Sequence, residues 1–216
     1  MESQAWCPQP GDLVLYRNNS RLQIALYRLL GAGTEATHVG IVVQRPDGTL
    51  GILEAPGQRY PVLISNIDSR LHAYSGDIWV RRLRQPLSVE QSARLTEFAC
   101  AQEGKRFNII GMLNPIILGP IRQKTCCHSC CKCPLGLNMR RWYCSPLVVA
   151  AAIHAGLLNP CAVRPLGVDP AHLLMDRQID ISSCWEEPLT WLPCGPKLNC
   201  YLSRTCCGQC WIWRQR

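Results

Sequence analysis

The chain has 216 residues, of which 47% are hydrophobic, and its 23 Lys and Arg against 15 Asp and Glu give a formal net charge of +8. This composition excludes an intrinsically disordered chain and is sufficient for one sizeable core. The basic runs are short and lack a helix-turn-helix, an RNA-binding signature or zinc-finger spacing, so no specific nucleic-acid partner is expected. The charge is compatible with an anionic membrane surface or an anionic substrate.

Strand-like stretches occupy the first 85 residues of the chain. They are rich in Val, Ile and Leu and are bounded by Gly, Pro and Asn, which is typical of short strands joined by turns. The predicted strands are Asp12 to Tyr16, His38 to Arg45, Thr49 to Ala55, Pro61 to Ile64 and Asp77 to Leu83.

One segment with helical periodicity, Arg21 to Leu30, lies between predicted strands. The other helical segments follow the last predicted strand. Ser88 and Gln91 form a capping-box pattern at the start of the second helix. The predicted helices are Arg21 to Leu30, Val89 to Gln102, Ser145 to Ala155 and a short one around Pro170 to Met175. An antiparallel meander with segregated helices predicts an α+β domain over residues 1–178.

Two segments differ in composition from this domain. A cysteine-dense stretch punctuated by Pro and Gly, at about 113–140, reads as an insertion, and residues 179–216 read as a tail rich in Cys and Trp. The N-terminus has Glu2 in place of a basic segment and no signal-peptide-like apolar run. We therefore expect a cytoplasmic protein with reduced thiols, and peripheral membrane association is compatible with the sequence.

The clustered cysteines leave several interpretations open. Cys130-x-x-Cys133 and Cys207-x-x-Cys210 have zinc-knuckle spacing, although the separation between them is much longer than in a finger. Doubled cysteines beside basic and aromatic residues also suit reversible palmitoylation. No cofactor is predicted for the domain itself, and zinc remains an alternative for the clusters, whose members are Cys126, Cys127, Cys130, Cys131, Cys133, Cys206, Cys207 and Cys210.

The segment RWYCSPLVVAAAIHAG places Cys144 at the start of a predicted helix. Ser and Pro favour a helix start, and Gly156 is a plausible stop. Unpaired backbone N–H groups and the positive end of the helix dipole favour a thiolate at this place. Cys144 is therefore a candidate nucleophile, and the alternative is a buried structural thiol.

A thiol nucleophile needs a base and a group that orients the base. His154 lies near the far end of the Cys144 helix, His72 lies in a polar loop, and His128 lies within the cysteine cluster. His38 instead begins the most apolar strand, where Gly40 allows a close approach. It is the candidate base, and the alternative is a strand-end histidine with its ring in water.

Turn geometry connects His38 to Glu54. Pro46-Asp47-Gly48 is a three-residue loop that pairs Arg45 with Thr49 if Gly48 takes the left-handed conformation. In that register His38 and Glu54 point to the same face as diagonal neighbours, about 7 Å apart at the backbone. We expect Cys144 to face His38 across a groove between the helix and the sheet.

These residues belong to an ordered set of motifs. GDLVLYR, THVGIVV, LEAPG, EGKRFN, WYCSPLVVAAAIHAG and VDPAHLL, spanning roughly residues 10–176, resemble the circularly permuted papain-fold hydrolases, specifically the bacterial YiiX-like group of the NlpC-type superfamily. The histidine precedes the cysteine, as in that group. The sequence departs from the group at Pro146 and in its cysteine-rich loop.

The resemblance implies a permuted papain-like fold and a Cys-His-Glu triad. Cys144 would be the nucleophile, His38 the general base and Glu54 the residue that orients the imidazole. The expected activity is thiol hydrolysis of an amide, peptide or ester bond through a thioacyl intermediate. Lipid acyl transfer and a catalytically silent ligand-binding module are the alternatives, and the expected partner is a small peptide, amide or lipid substrate.

Overall fold

An antiparallel sheet forms the centre of the structure, which is a computed structural model. The structure describes residues 5–18, 24–25, 33–108, 140–163, 165, 168–177, 179–192 and 211–214. The predicted cysteine-rich insertion, the cysteine clusters and most of the predicted helix Arg21 to Leu30 lie outside these described residues.

In the part of the chain that the structure describes, eight strands form the main sheet and two short strands form a separate parallel pair. In chain order the strands of the sheet are β1 (Ala5–Trp6), β2 (Leu13–Arg17), β3 (His38–Gln44), β4 (Leu50–Glu54), β5 (Leu63–Asn66), β6 (Asp77–Arg81), β9 (Leu189–Leu192) and β10 (Trp211–Arg214). The parallel pair is β7 (Arg106–Phe107) with β8 (Arg141–Trp142). The order across the sheet is β1-β10-β9-β6-β2-β3-β4-β5.

Three helices in the described part of the chain start at side-chain capping signals. Ser88 and Gln91 form the predicted capping box, and Asp169 with His172 forms a second one. The short helix that follows β5 is capped by Asn66, whose side chain accepts a hydrogen bond from the Ser69 N–H. The helices are α1 (Ile67–Ala73), α2 (Val89–Gln102), α3 (Cys144–His154) and α4 (Pro170–Met175).

Each face of the sheet buries its own apolar cluster. Alternate residues of β3 serve the two faces, because successive side chains of a strand point in opposite directions. Val39, Ile41 and Val43 lie in the cluster that includes the buried side chains of α2 and α3. Val42 lies in the other cluster, with Tyr16 and with the buried residues of α1. We call the first side the α2/α3 face and the second side the α1 face.

The predicted α+β architecture, an antiparallel sheet packed against helices, is confirmed. The prediction of a loop around His72 is wrong, because this residue lies in α1. The helix has seven residues and only Ile67 and Leu71 are buried, so its apolar pattern is too short to be recognised by periodicity.

Part of the range predicted as a tail contributes to the sheet. Residues 189–192 and 211–214 provide β9 and β10. Trp185, which precedes β9, is buried and donates its indole N–H to the Gly11 carbonyl at 2.8 Å. These contacts are long-range, and strands of four residues give little periodicity in the sequence.

Candidate active site

The hairpin of β3 and β4 has the predicted register. Ile41 lies opposite Leu53, and the Arg45 N–H donates to the Thr49 carbonyl at 2.7 Å. Gly48 has φ 84°, the left-handed conformation that the three-residue loop requires. His38, at the start of β3, and Glu54, at the end of β4, therefore share one face at the same end of the sheet.

The close approach of the two strands depends on glycine at position 40. A Cβ atom at Gly40 would lie 2.4 Å from the Cγ2 of Ile52 and 3.5 Å from the Cβ of Glu54. The first distance is shorter than any ordinary contact, so a larger residue would displace β4. Gly40 thereby keeps Glu54 close to His38.

His38 and Glu54 form a direct pair. The distance between His38 Nε2 and Glu54 Oε2 is 2.8 Å. The Glu54 side chain is 1% exposed and the His38 side chain is 15% exposed. The predicted same-face arrangement is confirmed, and the imidazole has limited access to solvent.

Cys144 is the first residue of α3 and is 9% exposed. Its N-cap residue, Tyr143, makes no side-chain hydrogen bond to the first turn, so no N-cap side chain occupies those N–H groups. The next residue, Ser145, donates its hydroxyl to the Val168 carbonyl at 2.6 Å. Pro146 is tolerated because the first helical turn does not need its missing N–H.

Cys144 interacts with the His38 ring, and this interaction is one of the causes that raise the pKa of His38. Because Nε2 faces Glu54, Nδ1 is the ring nitrogen that remains for the sulfur. The His38 side chain lies on the α1 face, because His38 pairs with Tyr16 and Gly40 pairs with Val14. Helix α3 packs on the opposite α2/α3 face. The expectation of a contact across a groove between helix and sheet is therefore wrong. The two side chains meet around the end of the sheet where β3 begins.

The charges of this group depend on one another. Burial by itself lowers the pKa of His38, but its hydrogen bonds to Cys144 and Glu54, together with their charges, raise this pKa to about 9. Burial raises the pKa of Glu54, but the hydrogen bonds and charges of His38 and Arg70 lower this pKa to about 2. At neutral pH the His38 imidazolium therefore pairs with the Glu54 carboxylate.

Sequence reasoning missed two residues that contact Glu54. Arg70 of α1 donates from Nε to Oε1 at 2.7 Å and from Nη2 to Oε2 at 2.9 Å. The Ser65 hydroxyl of β5 donates to Oε1. The cap residue Asn66 and the spacing of Ile67 and Leu71 were the available signals for α1, but nothing in the sequence linked Arg70 to Glu54.

The other described histidines have different surroundings. The His72 ring lies 5.7 Å from the Trp191 ring, and the His154 ring lies 5.4 Å from the Phe98 ring. His172 belongs to the capping box of α4. His128 lies outside the described residues.

No group of three or more His, Cys, Asp or Glu residues suited to a metal ion is found in the part of the chain that the structure describes. The cysteines of the proposed zinc site lie outside that part, so zinc and palmitoylation stay predictions. Within the same described residues, no helix has the length and apolar character needed to cross a membrane.

No protein-family model and no curated protein matches the chain. Among solved structures, the metalloprotein YiiX of Escherichia coli O157:H7, a DUF1105 protein, is similar, with a TM-score of 0.49 and 20% sequence identity. The match covers 82% of this chain and 87% of that chain. It falls in the YiiX group that the motifs resemble.

Proposed function

We propose that this protein is a thiol hydrolase that cleaves an amide, peptide or ester bond through a thioacyl intermediate on Cys144. One observation carries the proposal: the His38 ring hydrogen-bonds to Glu54 at 2.8 Å, and Cys144 interacts closely enough with the same ring to raise its pKa. A nucleophile, a proton carrier and an orienting carboxylate in that order are what acyl transfer requires.

The protonation states supply the first step of the reaction. With the pKa of His38 raised to about 9, the imidazole carries its proton at neutral pH. In the proposed reaction the nucleophile is the thiolate form of Cys144, because the thiolate is the reactive form of cysteine. In this proposal protonated His38 is the acid for the leaving group in the first step, and neutral His38 is the base for water in the second step.

In the proposed reaction the Cys144 thiolate attacks the substrate carbonyl and forms a C–S bond. In this proposal the backbone N–H of Cys144, at the start of α3, donates to the resulting oxyanion. His38 gives its proton to the leaving amine or alcohol as the C–N or C–O bond breaks, which leaves a thioester. Neutral His38 then takes a proton from water, the hydroxide attacks the thioester, and the thiolate is released beside a protonated His38.

Acylation by p-nitrophenyl acetate, a generic activated ester, tests this proposal. We expect a burst of p-nitrophenolate and an acetyl group mapped to Cys144 by peptide mass spectrometry, which is needed because the chain has 15 cysteines. Cys144→Ala should abolish the burst. Cys100→Ala, which removes an exposed free thiol, is the matched control and should retain it.

Two results would contradict the proposal: a burst that survives in Cys144→Ala, or a wild-type protein in which Cys144 is never acetylated. Either would favour the ligand-binding alternative. Added glycerol separates hydrolysis from acyl transfer, because an acyltransferase would convert the acetyl-enzyme to glyceryl acetate faster than to acetate.

A further inference from the structure

The carboxylate of Glu54 has its hydrogen-bonding capacity filled. Oε1 accepts from Ser65 and from Arg70 Nε, and Oε2 accepts from His38 and from Arg70 Nη2. A carboxylate offers about four acceptor sites. The side chain is 1% exposed, so water does not compete for these sites. Orienting one imidazole requires only one of the four contacts.

Arg70 is itself held in place by aromatic rings. Its guanidinium carbon lies 4.7 Å from the centroid of the Tyr16 ring and 5.4 Å from that of Tyr74. The Tyr16 ring also lies 5.4 Å from the His38 ring. Tyr16 is fully buried, so it forms a rigid support that both the guanidinium and the imidazole contact.

The two parallel hydrogen bonds from Arg70 fix the plane of the carboxylate. Rotation of the Glu54 carboxylate about its last torsion would break both bonds at once, because each guanidinium nitrogen donates to a different oxygen. This terminal torsion is otherwise soft in Glu. With the plane fixed, Oε2 stays 2.8 Å from His38 Nε2 and Nδ1 stays directed to the sulfur.

We propose that Arg70 is a positioning residue for the acyl-transfer reaction: its bidentate contact locks Glu54 in the orientation that holds His38 against Cys144. The inference rests on the proposed function and adds a fourth residue, which acts through Glu54 and does not touch the substrate. It assigns the effect to the forked geometry of the guanidinium rather than to its charge.

Lysine separates geometry from charge. Arg70→Lys keeps the positive charge but loses the two parallel donors and the planar stacking on Tyr16. Arg70→Gln loses the charge as well. If orientation is what matters, both variants should have a similar defect. Ser65→Ala removes one contact of the four and should give a smaller loss.

The readout is the rate of alkylation of Cys144 by iodoacetamide at pH 6, divided by the rate for Cys100 in the same molecule and mapped by peptide mass spectrometry. Cys100 is an exposed free thiol and serves as the internal standard. At pH 6 an ordinary thiol, with a pKa of about 8.5, is almost wholly protonated. A paired thiolate should therefore react faster than Cys100 despite its burial.

Arg17 provides matched control variants. It donates from Nε to Asp77 Oδ2 at 2.8 Å, and its guanidinium lies 5.4 Å from the Trp79 ring centroid. Arg17→Lys and Arg17→Gln thus disturb the same two kinds of contact at a carboxylate that does not face His38. Near-UV circular dichroism of every variant restricts the comparison to folded protein.

We expect Arg70→Lys and Arg70→Gln each to lower the ratio by about 10-fold to 100-fold, as a small misplacement of a reacting group does. The Arg17 variants should leave the alkylation ratio within about two-fold of the wild-type value, because changes at sites without shared partners act independently. A ratio in Arg70→Lys within two-fold of wild type, or an equal loss in the Arg17 variants, would overturn the positioning role. If wild-type Cys144 reacts no faster than Cys100, the proposed function itself fails.

Discussion

Two arginine–carboxylate pairs of this protein have the same bidentate form and different surroundings. In one, Arg81 of β6 donates to both oxygens of Asp176, at 2.8 Å and 3.0 Å. Here the guanidinium is the buried member, at 0% exposure against 23% for the aspartate. In the other, Arg70 is 23% exposed and the carboxylate of Glu54 is the buried member.

The remaining partners of each buried group show what the pair does. Arg81 also donates to the backbone carbonyls of Leu173 and Glu186, so it ties β6 to the end of α4 and to the chain before β9. Glu54 also contacts His38, whose pKa is raised in part by Cys144. We infer that the Arg81 pair stabilises the fold, and we propose that the Arg70 pair orients the imidazole. The two pairs differ in which member is buried and in what else that member contacts.

Glu54→Gln should distinguish the roles of the two pairs most clearly, because it should reduce acylation while the fold is kept. The amide has one acceptor oxygen, and its NH₂ group would face the Arg70 or His38 donors, so the imidazolium loses its orienting charge. We expect acylation by p-nitrophenyl acetate to fall by about 10³-fold at pH 7, in the range seen when a triad carboxylate is neutralised. The folded structure should be retained by circular dichroism. A loss of less than about three-fold would remove Glu54 from the proposed mechanism.

Arg81→Met should lower the stability of the protein without lowering the reactivity of Cys144. Removing one partner of a buried pair leaves Asp176 and two backbone carbonyls without their donor, which costs about 3–5 kcal/mol of unfolding free energy. Urea unfolding monitored by tryptophan fluorescence measures this change. Among folded molecules, the Cys144 to Cys100 alkylation ratio at pH 6 should match wild type. A large fall in that ratio would show that the two pairs are coupled.

The pH dependence of stability tests the charges at the Glu54 pair. The folded-state pKa of His38, about 9, lies above its ordinary value of 6.5, so the folded protein binds this proton more tightly than the unfolded chain does. Stability from this group is fully present below pH 6.5 and is lost as pH rises through about 9. Glu54 behaves in the opposite sense, with stability present above pH 4.5 and lost as pH falls toward 2.

Urea unfolding of wild type and His38→Ala at pH 6 and pH 9.5 measures the alkaline part of this effect. We expect the wild type to lose more stability between these two values than the variant, which lacks the titrating ring. Parallel loss in the two proteins would mean that other groups account for the alkaline change.

Asp176→Asn should give the smallest effect. Asp176 has φ 51°, a left-handed conformation that asparagine tolerates well. The amide oxygen keeps one acceptor for Arg81, so we expect a loss of about 1–2 kcal/mol, which is near the value of a hydrogen bond to a charged group. Acylation of Cys144 should be unchanged. A loss as large as that in Arg81→Met would mean that the aspartate charge accounts for the stability of the whole cluster.

Short-range signals made much of the fold predictable. The register of β3 and β4 followed from Pro46-Asp47-Gly48, because a three-residue hairpin loop fixes the pairing of its neighbours. The start of α2 followed from Ser88 and Gln91, and the start of α3 from the Ser-Pro pair. In each case the residues that determine the structure lie within a few positions of the structure they determine.

Contacts between distant elements were not predictable in the same way. The apolar pattern of the segment containing Arg70 is too short to predict a helix with certainty, so its guanidinium had no predicted position relative to Glu54. The prediction that α3 covers the sheet face carrying His38 was also wrong. Strand parity shows which side chains share a face but not which face a later helix covers. β10 pairs with β1 and β9 pairs with β6, which are both distant in the sequence, and strands of four residues carry no signal of such distant partners.

The sequence by itself determined that His38 and Glu54 share a face and that Cys144 begins a helix, because turn chemistry and helix-start preferences act on neighbouring residues. Only the tertiary structure brought the thiol around the end of the sheet to His38 and placed Arg70 and Ser65 on Glu54. The physical reason is that the burial of apolar surface is non-directional, so an apolar helix such as α3 is driven to cover a sheet without a preference for either face. The choice of face, and with it the hydrogen bonds around Glu54, is made when the whole chain packs.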